Sequence, residues 1–377
     1  MCVTNGFARF AYGLLLPAMR DELGWSYTQA GWLNTANAIG YIIGALLTMA
    51  LITRMPPSRL FSFGMITTTV SLLATGLHEA LWWQTVWRVA AGMFGAMSFS
   101  TSGVLAAQLF QTDARRNALA IALLFGFGGG VGIMLVGAML PIMLDLFGPQ
   151  SWAWGWIVVG VVAIGFLPLG LWSARQLHVP VQDNKFSGTL PTRAMLAEYA
   201  GYASFGLGYI VYMTFLSAWM SAQNASAGLI ALVWVMLGLC QCVSPFIWRP
   251  VFSRFPSGVP LAMILACIAV GSALPVGMPN APGLVVSAVV FGLSVFMAPG
   301  AVTNFIRHNL PMASWGAAIS RFTVVFAVAQ TIGPYAAGWI GDRNDDIGHA
   351  LLVAALVLTV GAFLALLQRP LPHQPES

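Results

Sequence analysis

The sequence predicts an all-α membrane protein of twelve transmembrane helices, arranged as two pseudo-symmetric six-helix bundles. Three observations predict it. Of 377 residues only 7% are Asp, Glu, Lys or Arg while 58% are apolar, and mean hydropathy is +0.81. A soluble domain carries roughly 25% charged residues, so the composition excludes a cytosolic enzyme, a nucleic-acid-binding protein and a disordered regulator. The apolar residues fall into runs near the roughly 20 residues that cross a bilayer as a helix. The first half of those runs also resembles the second.

The first run, 1–19, stops at Arg20, Asp21 and Glu22, and the second, 27–53, at Arg54. The third, 59–77, and the fourth, 80–109, are parted by Glu79. The fifth, 117–145, follows Arg115 and Arg116 and closes at Asp145, and the sixth, 150–174, ends at Arg175. The stretch 175–193, with Pro180, Asp183, Asn184, Lys185 and Pro191, is the longest hydrophilic segment. It divides the chain into an N-terminal six-helix bundle (1–174), a cytoplasmic central loop (175–193) and a C-terminal six-helix bundle with a short tail (194–377). The remaining runs are 194–219, 224–248, 258–277, 281–304, 312–340 and 347–368. Segments this long in lipid must be helices, because every backbone group needs an internal partner. Met1 enters the first run with no small-residue cleavage site, so a signal peptide is not expected and a longer natural start ahead of Met1 is.

The halves align at a constant offset. Gly6-Phe7-Ala8-Arg9-Phe10 reads against Gly201-Tyr202-Ala203-Ser204-Phe205, Ala30-Gly31 against Ala227-Gly228, and Phe94-Gly95 against Phe291-Gly292, at offsets of 195 to 197. A duplicated six-helix unit is one way transporters alternate access around a central site.

Charge sets the orientation. With the first run directed outward, the cytoplasmic loops hold 11 of the 16 basic residues, Arg54, Arg59, Arg115 and Arg116 among them, and the outer loops hold Arg20 and Arg343. Acids such as Asp21, Glu22, Asp145 and Asp342 lie outside. Both termini are therefore expected in the cytoplasm. The four cysteines (Cys2, Cys240, Cys242, Cys267) have no metal or disulfide spacing and read as small buried hydrophobes.

Local motifs narrow the class. Arg88-Val-Ala-Ala-Gly92-Met-Phe-Gly95-Ala96 resembles the RxxxGxxGA pattern of the major facilitator superfamily. The stretch GFARFAYGLLLPAM, the loop DELGWS, Asn37-Ala-Ile-Gly40-Tyr41-Ile-Ile-Gly44-Ala45, and Gly333-Pro334 followed by Gly338-Trp339-Ile-Gly-Asp342 resemble its bacterial YbfB/YjiJ branch. The resemblance covers essentially the whole chain. It implies the major facilitator fold, a secondary transporter in the bacterial inner membrane, a monomer, and no cofactor or metal. Two departures stand out. Thr53 occupies the place of the Asp usual in the loop between spans two and three. In span five Pro141 follows Leu140 and not a glycine, which weighs against a drug-exporter signature.

Four Arg, Lys, Asp or Glu side chains lie well inside the runs: Arg9, Arg88, Glu198 and Arg321. A charge at the bilayer centre costs at least about 2.5–3.5 kcal/mol on insertion scales, so such residues face a water-filled cavity or a partner. Guanidinium binds carboxylate bidentately, and three deep arginines against one acid predict an anion site built on Arg9, Arg88 and Arg321. Tyr12, Asn34, Asn37, Tyr209 and Tyr212 are the polar candidates beside them. Phe10, Phe205, Asn304 and Gln330 are weaker ones. Glu198, with Arg88, is the candidate for proton coupling, because removing a carboxyl from water favours its protonated form. Its alternative is an ion pair with Arg193. Gly40, Gly44, Gly92, Gly95, Gly128, Gly132 and Pro334 are expected at helix crossings where the halves move.

The leading reading is a proton-coupled transporter of a small organic anion, a carboxylate, with aromatic carboxylates in range. The alternatives are a multidrug efflux antiporter of the same fold, a non-transporting membrane sensor, and an intramembrane enzyme. The histidines are scattered over loops on both sides and the tail, which gives the enzyme no convergent site. No GxxxxGK[ST] loop is present, so ATP drive within the chain is not expected.

Overall fold

The structure, a computed structural model, describes residues 1–110, 113–177 and 190–371. The described residues are helical, with no strand among them. α1 begins as a wide, π-type helix, Cys2–Phe10, and continues as Ala11–Leu23. α2 is Tyr27–Leu51, α3 Pro57–Thr75 and α4 Leu81–Ala106. α5 comprises Ala114–Ala122, a wide turn over Leu123–Phe127, and Gly128–Phe147, and α6 is Trp152–Gln176. α7 is Leu196–Ala222, α8 Ala227–Arg254 and α9 Val259–Gly277. α10 joins Ala281–Gly292 to Ala298–Asn309, α11 is Trp315–Asn344 and α12 Gly348–Leu366. The predicted central loop falls mostly outside the described residues.

All twelve runs form helices, and ten of them are long and apolar enough to cross a membrane. α1 and α3 fall short of that measure. α1 carries Arg9, Arg20, Asp21 and Glu22. α3 is rich in Ser and Thr, and most of that polarity is satisfied locally: Ser62, Thr67, Thr69, Ser71 and Thr75 each donate to the carbonyl four residues back at 2.7–2.9 Å, while the buried Thr68 hydroxyl has no partner. A hydroxyl bonded to its own helix leaves no open donor toward lipid.

Turn chemistry fixes where rods begin. Ser26 caps α2 in a reciprocal box with Gln29, Ser226 caps α8 and Asn280 caps α10. These side chains satisfy amides that a helix start leaves open. Gly24 closes α1 at φ 63°, a left-handed conformation that favours glycine.

In the first half α4 packs on α2 and α3, and α3 on α6. In the second, α12 packs on α7 and α9, and α7 on α11. Between the halves α2 meets α11, α5 meets α8 and α1 meets α7. Large apolar side chains such as Leu46, Phe63, Phe246, Leu356 and Phe363 lie exposed on the outside. Such a surface suits hydrocarbon and would be untenable in water. Trp25 marks one end of the bundle and Arg54 the other.

Small residues set the close approaches, but not always those expected. Gly40 and Gly44 of α2 press on the carbonyls of Val89 and Met93, and Gly92 of α4 presses on that of Asn37. Gly128 presses on Met1, just ahead of α1, and Gly132 on Cys2 of α1, and the nearest neighbour of Gly95 is the Thr4 carbonyl. All of these crossings lie within the first half. Pro334 is found between the halves, its carbonyl against Gly31, and of the glycine series expected over 126–132, Gly126, Gly129 and Gly130 also face the second half, against Pro245, Gln241 and Gly238. The physical reason is that a small residue marks a close approach without saying which helix approaches.

Candidate functional site

Arg9 lies in the last turn of the wide segment of α1 and stays half-buried at the junction of the halves. Its Nη2 donates to the Tyr209 hydroxyl of α7 and to Gln330 Oε1 of α11. The Tyr209 hydroxyl also donates to Gln330 Oε1 at 3.0 Å. Three helices thus meet in one polar knot. The Arg9 Cζ lies 5.2 Å from the Tyr41 ring centre, 5.7 Å from Phe10 and 5.9 Å from Tyr209. A guanidinium over ring faces gains cation–π attraction. Its Nε and Nη1 have no bond to any described residue, and neither is sealed from solvent.

Aromatic side chains extend from this knot toward the Arg54 end. Phe205 stacks on Tyr209 at 4.6 Å, and Phe326 lies 5.5 Å from Phe205 and 5.7 Å from Tyr209. Tyr202 continues the stack, 5.4 Å from Phe326. On the facing half, Tyr41 meets Phe99, which meets Phe125 at 4.8 Å. Tyr41, Phe99, Phe125, Phe296 and Phe326 all keep accessible surface. The result is a partly open cleft with one cationic group and aromatic walls.

Arg88 occupies a separate, sealed layer. It is 1% exposed, donates from Nη1 to the Ala8 carbonyl at 2.8 Å and from Nη2 to Asn34 Oδ1 at 3.4 Å, and lies over the Tyr12 and Trp156 rings. Asn34 in turn donates to Thr214 Oγ1 across the halves, and Asn37 donates to the Arg88 carbonyl at 3.0 Å. Tyr12 donates to the Ala30 carbonyl at 2.7 Å. Arg88, Tyr12, Asn34 and Asn37 therefore brace α1, α2 and α4 beneath the cleft, with no open face on it here.

Two predicted residues lie elsewhere. Tyr212 turns into the second half, where it stacks on Phe291 at 3.9 Å and bonds Ser287 Oγ at 2.7 Å. Arg321 is exposed and donates to Thr192 Oγ1 at 2.7 Å, two turns from the start of α11 rather than at mid-depth. Gln330, a weaker candidate, closes the Arg9 knot. Tyr41, Phe99 and Phe326 were missed. Tyr41 and Phe326 each stand four residues from a polar candidate, Asn37 and Gln330, and so share its helix face.

Glu198 lies outside the cleft, at the junction of α7, α9 and α12. It is fully buried, its carboxylate oxygens have no hydrogen-bond partner, and Gly258 approaches Oε2 so closely that a Cβ there would stand 2.7 Å away. Its amide donates to Gln368 Oε1 at 3.2 Å. Arg193 is exposed and forms no ion pair with it. Among the described residues no cluster of His, Cys, Asp and Glu could hold a metal ion. A groove of about 560 Å³ between α9 and α12 is lined by Ala262, Ala266, Val270, Leu356 and Phe363 and opens on the apolar belt, away from Arg9.

Residues 1–366 match the family described as uncharacterised MFS-type transporter YbfB. A curated relative from Arabidopsis thaliana, a probable chloroplastic anion transporter 3, is 25% identical over 190 residues. That match spans 49% of this chain but only 35% of the relative's length. Among solved structures, a mutant of the nucleoside transporter NupG superposes with a TM-score of 0.74 at 13% identity, covering 97% of this chain and 98% of that one. A bacterial homologue of the human lysosomal transporter Spinster, inward-facing and unoccupied, superposes with a TM-score of 0.69 at 16% identity, covering 97% and 94%. At these identities the structures show the fold alone.

Proposed function

Because the chain belongs to the YbfB-type family of major facilitator superfamily transporters, we propose that it is a secondary transporter of a small organic anion, a carboxylate. It works by alternating access in the bacterial cytoplasmic membrane, as a monomer with both termini in the cytoplasm, and is driven by protons. One observation carries this reading. The half-buried guanidinium of Arg9 sits between the halves with two nitrogens unengaged, and no acid pairs with it among the described residues. A planar fork of donors in low dielectric is suited to a carboxylate. The partial match to an anion transporter supports the same class.

The polar contacts between α2 and α11 run from Asp342 at the Trp25 end to Thr331 near mid-depth. We read this arrangement as closed at the Trp25 end and open toward the Arg54 end, the cytoplasmic side. Glu198 is the proton carrier of the proposal. A buried unpaired charge costs several kcal/mol, and a carboxyl so placed can take up and release a proton as its junction opens. The aromatic walls favour a second reading, a lipophilic cation exported by the same fold. Arg9 opposes it by repulsion.

The test is uptake of radiolabelled benzoate and phenylacetate into proteoliposomes with an imposed pH gradient. Arg9→Gln should cut uptake about 30-fold or more, as loss of one partner from a desolvated charge pair does. Glu198→Gln should retain anion exchange and lose the response to the gradient. Undiminished uptake in Arg9→Gln overturns the anion reading, and gradient-driven movement of tetraphenylphosphonium by the wild type would put the exporter in its place.

A further inference from the structure

We infer that the Arg9 site turns a guanidinium and an amide donor toward its occupant with no carboxylate to balance them, and that it therefore takes an aromatic 2-oxo acid and rejects the α-amino acid of the same skeleton. This rests on the anion reading above. Hydrogen-bond accounting at the knot leads to it. Arginine has donors and no acceptor. Gln330 must therefore turn Oε1, not Nε2, toward Arg9, which fixes an amide orientation that geometry alone leaves open. Tyr209 can give its proton only to Gln330 Oε1, because Arg9 offers no lone pair. Gln330 Oε1 thus accepts from both neighbours.

What remains unengaged is Arg9 Nε, Arg9 Nη1 and Gln330 Nε2. Every one is a donor, and the acceptors beside them are the uncharged hydroxyl oxygens of Tyr209, Tyr41 and Tyr202. Gln330 is 0% exposed, and its Nε2 has no partner. A buried unpaired N–H is costly, and it is the one bond the knot lacks. Closure of the halves over an occupant with a second acceptor beside its carboxylate would supply that bond.

No acid stands near enough to receive an ammonium group. On α1 the nearest is Asp21, twelve residues beyond Arg9. On α7 it is Glu198, eleven before Tyr209, and on α11 Asp342, twelve past Gln330. At 1.5 Å per residue these lie about 16–18 Å along their helices. α2 and α10 contain no acid. A zwitterion would bring its cation against Arg9 with nothing to offset it. The body of the occupant lies between Tyr41 on one half and Phe326 on the other, both with accessible faces, as a planar ring requires.

The experiment is calorimetric binding to the purified full chain in detergent, using phenylpyruvate, phenylacetate, phenylalanine and 2-phenylethylamine as matched probes. Phenylpyruvate should bind at least about tenfold tighter than phenylalanine, because the ammonium stands beside Arg9 with no carboxylate to offset it. Its advantage over phenylacetate should vanish in Gln330→Leu. Gln330→Glu should weaken every carboxylate probe, since its carboxylate then pairs with Arg9. Equal binding of the oxo acid and the amino acid, or an oxo-acid advantage over phenylacetate that survives Gln330→Leu, overturns the inference while Arg9-dependent binding of phenylacetate keeps the anion reading alive. If none of the carboxylates binds and Arg9→Gln changes nothing, the anion reading fails with it.

Discussion

The two seams that join the halves are related by the repeat, yet they are built differently. The α2–α11 seam is polar and lies toward the Trp25 end. The Asp342 carboxylate accepts from the amides of Tyr27 (2.7 Å) and Thr28 (2.9 Å) and from the Thr28 hydroxyl. Deeper in, the Thr35 hydroxyl donates to the Thr331 carbonyl at 2.7 Å. The α5–α8 seam is a column of small residues set deeper in the bundle. Gly137 lies under Trp234, Gly130 against Gly238, Gly129 against Gln241, and Gly126 against Pro245.

Asp145, 197 residues before Asp342 and so at the matching repeat position, makes no such clamp. It lines a pocket of about 240 Å³ with Asp21, Ser217 and Ser221, while Ser226 caps α8 itself. Opening the first seam must break charge-assisted bonds. The second can roll on a surface of backbone and glycine. In the alternating access proposed above, the first seam would serve as a latch and the second as a pivot.

The pivot is the more sensitive target. A side chain at Gly130 would stand 2.5 Å from the Gly238 carbonyl, backbone that cannot step aside. Overpacking a tight contact costs about 1–3 kcal/mol or more. Gly130→Leu should lower the apparent melting temperature in detergent and abolish transport in proteoliposomes. A variant that melts and transports like the wild type would remove the pivot from the comparison.

The latch comes next. Asp342→Ala takes the acceptor from two helix-start amides and a hydroxyl. Hydrogen bonds to a charged group contribute about 1.5–3 kcal/mol, with the lower end apt for a half-exposed site. Labelling of a cysteine placed at Thr35 by an impermeant maleimide, applied from the Trp25 end, should rise several-fold in this background. Equal labelling with and without Asp342 would mean that the seam is held by packing.

The sequence showed the rods more clearly than the faces. Apolar run lengths and charged breaks located all twelve helices, because lipid demands them. The duplication was legible as a constant offset, and the Arg9 and Tyr209 candidates do meet. The direction of a side chain was harder to read. A membrane helix that is apolar nearly all round has no amphipathic stripe to orient it. Arg88, as deep in sequence as Arg9, therefore gave no sign that it would spend its donors on the Ala8 carbonyl. Tyr212 follows Tyr209 by three residues but turns to Ser287. Arg321 looked central only because the run containing it was read from 312 and the helix begins at Trp315. The asymmetry of the seams was equally hidden, since Gly31 and Gly228 look alike on paper.

That last pair offers the mildest perturbation and the sharpest discrimination. Gly31 and Gly228 occupy one repeat position. A Cβ on Gly31 would strike the Pro334 carbonyl, whereas one on Gly228 meets nothing within 4 Å. If latch and pivot are distinct, the same substitution must act differently at the two sites. Gly31→Ala should destabilise by about 1–3 kcal/mol through overpacking. Gly228→Ala should be neutral, or stabilise by less than about 1 kcal/mol through the helix propensity of alanine. Parallel melting curves measure the difference. Equal losses at both sites would mean that the α5–α8 seam also closes at its Trp25 end for much of the time, and that the latch alternates between the two seams.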